Sequence, residues 1–275
     1  MTPPVTTATT ATTTATTATT ATTGTSVDGA VWLDRWDRQQ EGFMGNREER
    51  FDTILDVVAV VCGTDHPNVL DLGCGPGSLA GRVLDRFPAA TVVGLDNDPV
   101  LMTLGRRAYG DHDGRLTWVT ADLRAREWVA AVQVLGPFDA VVSTTALHWL
   151  DGQVLIATYQ AVKNLLVPGG VLANGDHLHE PEQLRLGKLQ HALRRPADDE
   201  REGWLPWWEA LEAAAAGDPE LTAAFAERAA RHATHPDTTD QPGLAAHVDA
   251  LRAAGFGEVG TVWQVGDDRI LVGLR

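Results

Sequence analysis

The sequence predicts an α/β fold: a doubly wound, mostly parallel sheet of seven strands with an antiparallel last strand, plus a helical insertion acting as a lid. Three observations predict it. Short apolar runs alternate with helix-period stretches from about residue 69 to residue 176. The first apolar run ends in a glycine cluster, Gly73, Gly75 and Gly77. The last two apolar runs are separated by Gly266-Asp267-Asp268 alone. A turn that short demands an antiparallel hairpin, because parallel neighbours need a long crossover.

Residues 2–25 hold fifteen Thr, five Ala and no charged or aromatic residue. Such a tract buries too little apolar surface to offset its ordering entropy. Residues 1–26 are therefore expected to form a disordered tail, and 27–275 a single domain. Val31, Trp32, Leu33, Trp36 and Phe43 predict one or two amphipathic helical pieces. A second helix is expected over 47–61, where Phe51, Ile54, Leu55, Val58 and Val61 recur at helical spacing. Strands follow at 69–72, 91–95, 116–119, 138–143 and 171–174. Between them helices are expected at 78–87, from Pro99, at 125–135 and at 151–166. Pro88 stops the first of these, and Pro168-Gly169-Gly170 turns the chain into the fifth strand.

The stretch 177–242 breaks the rhythm. It holds six prolines and thirteen Asp/Glu against seven Lys/Arg, so it is read as a helical insertion, not another strand–helix unit. Within it Trp204, Trp208, Leu211 and Ala215 form a helical stripe. A helix over 244–254 ends at Gly255, and strands at 259–265 and 269–274 close the chain.

Composition excludes several classes. The apolar runs are short and interrupted, as by Asp56 within 54–61, so no membrane span is expected. The first charge is Asp28, so a basic leader region is missing. A net charge of −15 argues against a sequence-independent nucleic-acid binder. Cys62 and Cys74 make neither a disulfide framework nor a zinc motif, which points to a reducing, cytoplasmic setting and no structural metal.

The chemistry concentrates at the strand ends. Val69-Leu70-Asp71-Leu72-Gly73-Cys74-Gly75-Pro76-Gly77-Ser78 is a Gly-rich strand-to-helix turn, which lets a ligand approach the backbone. Ser78 stands where the dinucleotide fingerprint needs its third glycine or alanine. Asp71, two residues before Gly73, would disfavour a pyrophosphate and favour a cationic amine. Asp96 and Asn97 end the second strand, and an acid there suits both hydroxyls of a ribose. Ala121, Asp122 and Leu123 follow the third strand, where Asp122 suits an adenine amino group. The plainer roles are a turn carboxylate for Asp71, and helix N-caps for Asp96 and Asp122.

These residues together resemble the class I S-adenosylmethionine-dependent methyltransferases of small-molecule type. Asp71 to Gly77 resembles that family's first motif, Asp96 falls at its ribose acid, and Ala121-Asp122 at its adenine contacts. Phe138-Asp139-Ala140-Val141-Val142-Ser143 resembles the fourth-strand motif, and Leu166-Val167-Pro168-Gly169-Gly170 the turn before the fifth strand. The resemblance covers 46–176 well and 244–275 moderately. It implies a Rossmann-like fold and S-adenosyl-L-methionine as cofactor. It also implies a cofactor site of Asp71, Gly73, Cys74, Gly75, Gly77, Asp96, Asn97, Ala121, Asp122, Leu123 and Ser143. The implied activity is methyl transfer to the O, N or C atom of a small-molecule acceptor.

On the acceptor side, methyl displacement relies on alignment, and a base is needed only if the acceptor must lose a proton. His148, after the fourth strand, is the candidate base; the plainer reading is a histidine that only shapes the pocket. His177, His179 and Glu180 suit a metal less well than a polar strand exit, and His232 with His235 suits a helix end. Trp32, Trp36, Trp204, Trp207 and Trp208 suggest an aromatic lid. Arg47 and Arg50 are placed either on a solvated helix face or, by the resemblance, near the cofactor carboxylate. Two rival functions stand beside methyl transfer: a noncatalytic adenosyl-ligand-binding partner protein and an NAD-dependent oxidoreductase. Ser78 and Asp71 count against the latter.

Overall fold

Asp28 starts the first helix by accepting from the N–H groups of Ala30 and Val31, and the chain then continues as one helix, α1 (Gly29–Phe43), not two pieces. The computed structural model describes residues 26–194, 201–234 and 241–275. The Thr/Ala tract and His235 lie outside them. Helix α2 (Arg47–Cys62) ends at Gly63, whose φ of 59° is a left-handed cap. Then follow β1 (Asn68–Leu72), α3 (Ser78–Arg86), β2 (Thr91–Asp96), α4 (Pro99–Tyr109), β3 (Leu116–Thr120), α5 (Glu127–Gln133), β4 (Phe138–Thr144), α6 (Gly152–Leu165) and β5 (Leu166–His177). The insertion supplies α7 (Leu184–Leu193), α8 (Trp204–Ala214) and α9 (Pro219–Thr234). Helix α10 (Leu244–Ala254) leads to β6 (Glu258–Val265) and β7 (Asp268–Leu274).

The sheet order is β3-β2-β1-β4-β5-β7-β6. Strands β1 to β5 pair in parallel, and β7 runs antiparallel to both β5 and β6. The hairpin's return strand is thus inserted beside β5. Strand β5 is longer than expected, because Leu166 already pairs with Phe138 before the glycine turn; the register then shifts. The order reverses at β1, with β2 on one side and β4 on the other, and such a reversal opens a crevice at the carboxyl ends of the strands.

Side chains alternate across the sheet and build two cores. Leu70, Leu72 and Val141 pack under α5, α6 and α10, while Val69, Ala140 and Val142 pack under α2 and α3. A third cluster joins Trp32 and Trp36 of α1, Val100, Leu101 and Leu104 of α4, and Trp207, Trp208 and Leu211 of α8. The indole pairs meet at 5.0–6.5 Å, mostly edge to face, each contributing about 0.5–1.5 kcal/mol beyond area burial. The buried stripe of α8 includes Trp207, while Trp204 is 42% exposed. Asp218 ties the insertion to the domain: it accepts from Arg107 at 2.5 and 2.9 Å and from Val27 N at 3.0 Å. The Arg107 guanidinium holds its carboxyl well below the usual carboxylate range.

Candidate active site

A cavity of about 520 Å³ lies over the carboxyl ends of β1 to β4, beneath α1, α8 and α9. Gly73, Cys74, Gly75, Asp96, Asn97, Ala121, Asp122, Leu123 and His148 all line it. The glycine turn needs its glycines: Gly73, Gly75 and Gly77 have φ of 69°, 55° and 87°. Leu95 O accepts from Gly73 N at 2.8 Å and from Cys74 N at 3.0 Å, which pins the turn to β2. A Cβ on Gly73 would lie 2.3 Å from that of Ala146. Gly73→Ala is therefore expected to lower stability by about 2–4 kcal/mol, measured by urea unfolding, from strain and overpacking together.

Asp96 accepts from Gly75 N and from Asp98 N, both at 2.8 Å. Burial pushes its carboxyl up to about 6, against the pull of those N–H groups. It does not cap α4; Asp98 does, accepting from Val100 N and Leu101 N. Asp122 accepts from Arg124 N at 2.9 Å and does not cap α5, which begins after Arg126.

Three expected cofactor residues are not on the wall. Asp71 is fully buried behind the glycine turn, because on β1 it shares the face of Val69, toward α3. Neither of its carboxyl oxygens has a well-formed hydrogen bond among the described residues, although the nearby Ala80 N–H favours the charged form. Burial, then the charge of Asp96, push its pKa up to about 8. Gly77 faces Trp118, whose ring would stand 2.6 Å from an added Cβ; it gives α3 a left-handed start. Ser143 is buried in the sheet and donates to Leu72 O at 2.8 Å, and the residues that reach the cavity here are Thr144, the last of β4, and Thr145 just after it.

His148 sits in a single 3-10 turn, Leu147–Trp149, after β4. Its Nδ1 meets Oδ1 and Oδ2 of Asp176 at 2.8 and 3.0 Å. Burial pushes the Asp176 carboxyl up, but His148, with His247 and Arg50, outweighs it and holds it down at about 2. Sequence reasoning weighed His177, His179 and Glu180 at this strand exit and missed the partnership of Asp176 with His148. The one available signal was an acid at the end of β5, the neighbour of the strand that carries His148. Trp149 lies against the imidazole, with ring centroids 4.8 Å apart.

The arginine expectation changes. Arg47 and Arg50 are not on a solvated face: both are buried, because α2 packs on β4 and β5. Arg47 reaches the cavity and pairs with Asp37 at 2.8 Å. Arg50 pairs with Asp268. Trp36, Trp204 and Trp208 line the cavity, and Arg228 bridges Trp208 and Asp98, its guanidinium 3.8 Å from the ring centroid. His232 also lines the cavity, its Nδ1 2.9 Å from Arg228 O. Arg194 lies 3.5 Å from His177 Nε2. Among the described residues no group of His, Cys, Asp and Glu could hold a metal ion, and no helix is long and apolar enough to cross a membrane.

The sheet order, with β7 inserted and antiparallel, and a glycine turn at the switch point define a Rossmann-like methyltransferase fold. Residues 69–170 match a family model described as methyltransferase domain. A trans-aconitate 2-methyltransferase of Streptomyces avermitilis is 32% identical over 165 residues, 58% of each chain. Another of that name, from Methylobacterium nodulans, is 30% identical over 194 residues, 70% of this chain and 65% of the relative. The chain thus spans about half to two thirds of the length of the curated relatives it matches. Among solved structures, Streptomyces venezuelae DesVI superposes with a TM-score of 0.54 at 18% identity, over 90% of this chain and 98% of that one. An O-methyltransferase family protein from Burkholderia thailandensis gives 0.50 at 20% identity, over 89% and 69%. These two likenesses concern the fold alone. Over its central strands and helices the chain is similar to the class I S-adenosylmethionine-dependent methyltransferases, a family whose cofactor is S-adenosyl-L-methionine.

Proposed function

We propose that this cavity binds S-adenosyl-L-methionine and directs methyl transfer to the hydroxyl oxygen of a small-molecule acceptor, with His148 as base. The observation that carries the reading is the buried Asp176–His148 pair, whose histidine lines a cavity that also holds the glycine turn. The residues fit the cofactor. Asp71 is a buried carboxyl behind the glycine turn, raised to about 8, and a cation bound near it would favour its ionised form; Gly73 and Gly75 themselves carry no Cβ to block a close approach. The cavity wall carries Asp96, Asp98 and Asp122 together with Arg47, Arg124 and Arg228, and Arg228 pairs with Asp98. When bound, the cofactor supplies an electrophilic methyl group on a sulfonium.

In this reading Asp96 accepts from the ribose hydroxyls, and Ala121, Asp122 and Leu123 flank the adenine. The backbone of Gly73, Cys74 and Gly75 borders the methionine portion. Asp176 occupies Nδ1 of His148, which fixes the tautomer with Nδ1–H and leaves Nε2 to take the acceptor proton. Trp36, Trp204 and Trp208 roof the cavity and limit water.

A second reading is favoured by the relatives' names. Trans-aconitate is a carboxylic acid, and a carboxylate acceptor is nucleophilic without losing a proton. His148 would then orient the acceptor, not deprotonate it.

Calorimetric titration with S-adenosyl-L-methionine tests the cofactor assignment. One-to-one binding is expected, weakened at least about tenfold in Asp96→Ala by loss of two charge-assisted hydrogen bonds. A folded protein that ignores S-adenosyl-L-methionine, or prefers a nicotinamide cofactor, would refute it. Tight binding without turnover on any acceptor would instead favour a noncatalytic partner protein.

A further inference from the structure

We infer that Arg50 is a positioning residue for the segment that carries His148, acting through Thr145; the inference rests on reading the cavity as a methyl-transfer site. Thr145 is the first residue after β4 and has a φ of 55°. A β-branched residue avoids that left-handed region, so the surroundings must impose it. The only other described non-glycine residues with positive φ are His112 and Asp113, neither of them at the cavity.

The imposing contacts come from far away in sequence. Arg50 Nη2 donates to Thr145 Oγ1 at 2.7 Å and to Thr144 Oγ1 at 2.8 Å. Its Nη1 donates to Asp268 Oδ1 at 2.8 Å. Gly175 O accepts from Thr145 N at 2.9 Å. Gly175 also makes room for the arginine stem: a Cβ there would lie 2.9 Å from Arg50 Cδ. Arg50 therefore touches both strand ends that meet in the histidine pair. Through Thr145 it holds the exit of β4, three residues before His148. Through Gly175 it abuts the exit of β5, one residue before Asp176.

Two features argue for a role beyond stability. The Arg50–Asp268 pair is almost fully buried, and a buried ion pair is often no more stabilising than apolar residues of the same volume. Also, Ala146 stands against Gly73 with no space for a methyl group between them, so a slack exit from β4 would displace the glycine turn as well as His148. The planar fork of arginine serves a carboxylate and two hydroxyls at fixed angles, which lysine cannot do.

The test uses the whole chain. In Arg50→Lys, amide exchange over 145–150 is expected to quicken at least about tenfold, while exchange in β1 and β2 stays within about twofold. Adding Thr145→Asn, which tolerates left-handed backbone unaided, is expected to restore slow exchange. Single-turnover transfer to two probe acceptors, a simple phenol and trans-aconitate, should follow the same order, and so should the cofactor Kd, because the glycine turn shifts with Ala146. Exchange that quickens equally across the sheet, or no recovery in the double variant, would overturn the inference. Should the unaltered protein methylate neither probe, the hydroxyl and carboxylate readings both fail, while the exchange pattern still decides the role of Arg50.

Discussion

His148→Ala and Asp176→Asn are each expected to lower kcat by about 10²–10⁴-fold, the usual contribution of a positioned base. The acceptor KM should change little, because neither group is needed to fill the cavity. Asparagine at 176 keeps the shape but frees the imidazole to place its proton on Nε2, the atom that must be vacant. The carboxyl of Asp176 is held down at about 2, so it stays ionised across any practical assay range. The stability it contributes is present above about pH 4 and lost as pH falls toward 2. Steady-state kinetics of both variants decide between the two acceptors. A raised KM with kcat intact identifies a carboxylate acceptor, and wild-type rates in both variants would end the base assignment.

Asp71→Asn is expected to change the pH dependence of stability more than any other single substitution. The Asp71 carboxyl is raised from the model-peptide value of 3.8 to about 8 in the folded protein. Between those limits the folded chain holds a proton that the unfolded chain has released. Stability therefore falls as pH rises through this window, by up to about 1.4 kcal/mol per pH unit from this group. Asp96, raised to about 6, adds a drop at the acid end of the window. His177 and His247, both lowered to about 4 by burial, act in the opposite sense below about pH 6.5. The difference between wild type and variant isolates Asp71. Urea unfolding at pH 5, 6 and 7 should show Asp71→Asn gaining on wild type by about 1 kcal/mol per unit. The same variant should bind S-adenosyl-L-methionine more weakly, because it lacks a carboxyl that a bound cation can ionise. Parallel stability curves would show that the buried carboxyl is ionised and compensated by a donor.

The sequence by itself determined the order and direction of the strands. Short apolar runs and helical stretches of period 3.6 place the elements, and the short turn around Gly266-Asp267-Asp268 forces an antiparallel return. The wall residues Gly73, Gly75, Asp96 and Asp122 were legible for the same local reason. Each ends a strand of a parallel sheet, and strand ends face the crevice. Locality also explains which motif members stand back from the wall. Asp71, Gly77 and Ser143 belong to the same motifs, but motif membership does not say which way a side chain points. Alternation turns Asp71 toward α3, a tryptophan fills the space at Gly77, and Ser143 stays within the sheet.

Only the tertiary structure decided which residues share a charge. Asp176 meets His148 across 28 positions, and Arg50 meets Asp268 across 218. Sequence spacing carries no record of such pairs, because they are made by neighbouring strand ends and by the inserted return of β7. The burial of Arg50 follows from the packing of α2 on β4 and β5, which turns an arginine from an expected surface charge into a buried fork. Short-range geometry is written in the order of residues; the chemistry of a site built from separate segments arises when the fold brings those segments together.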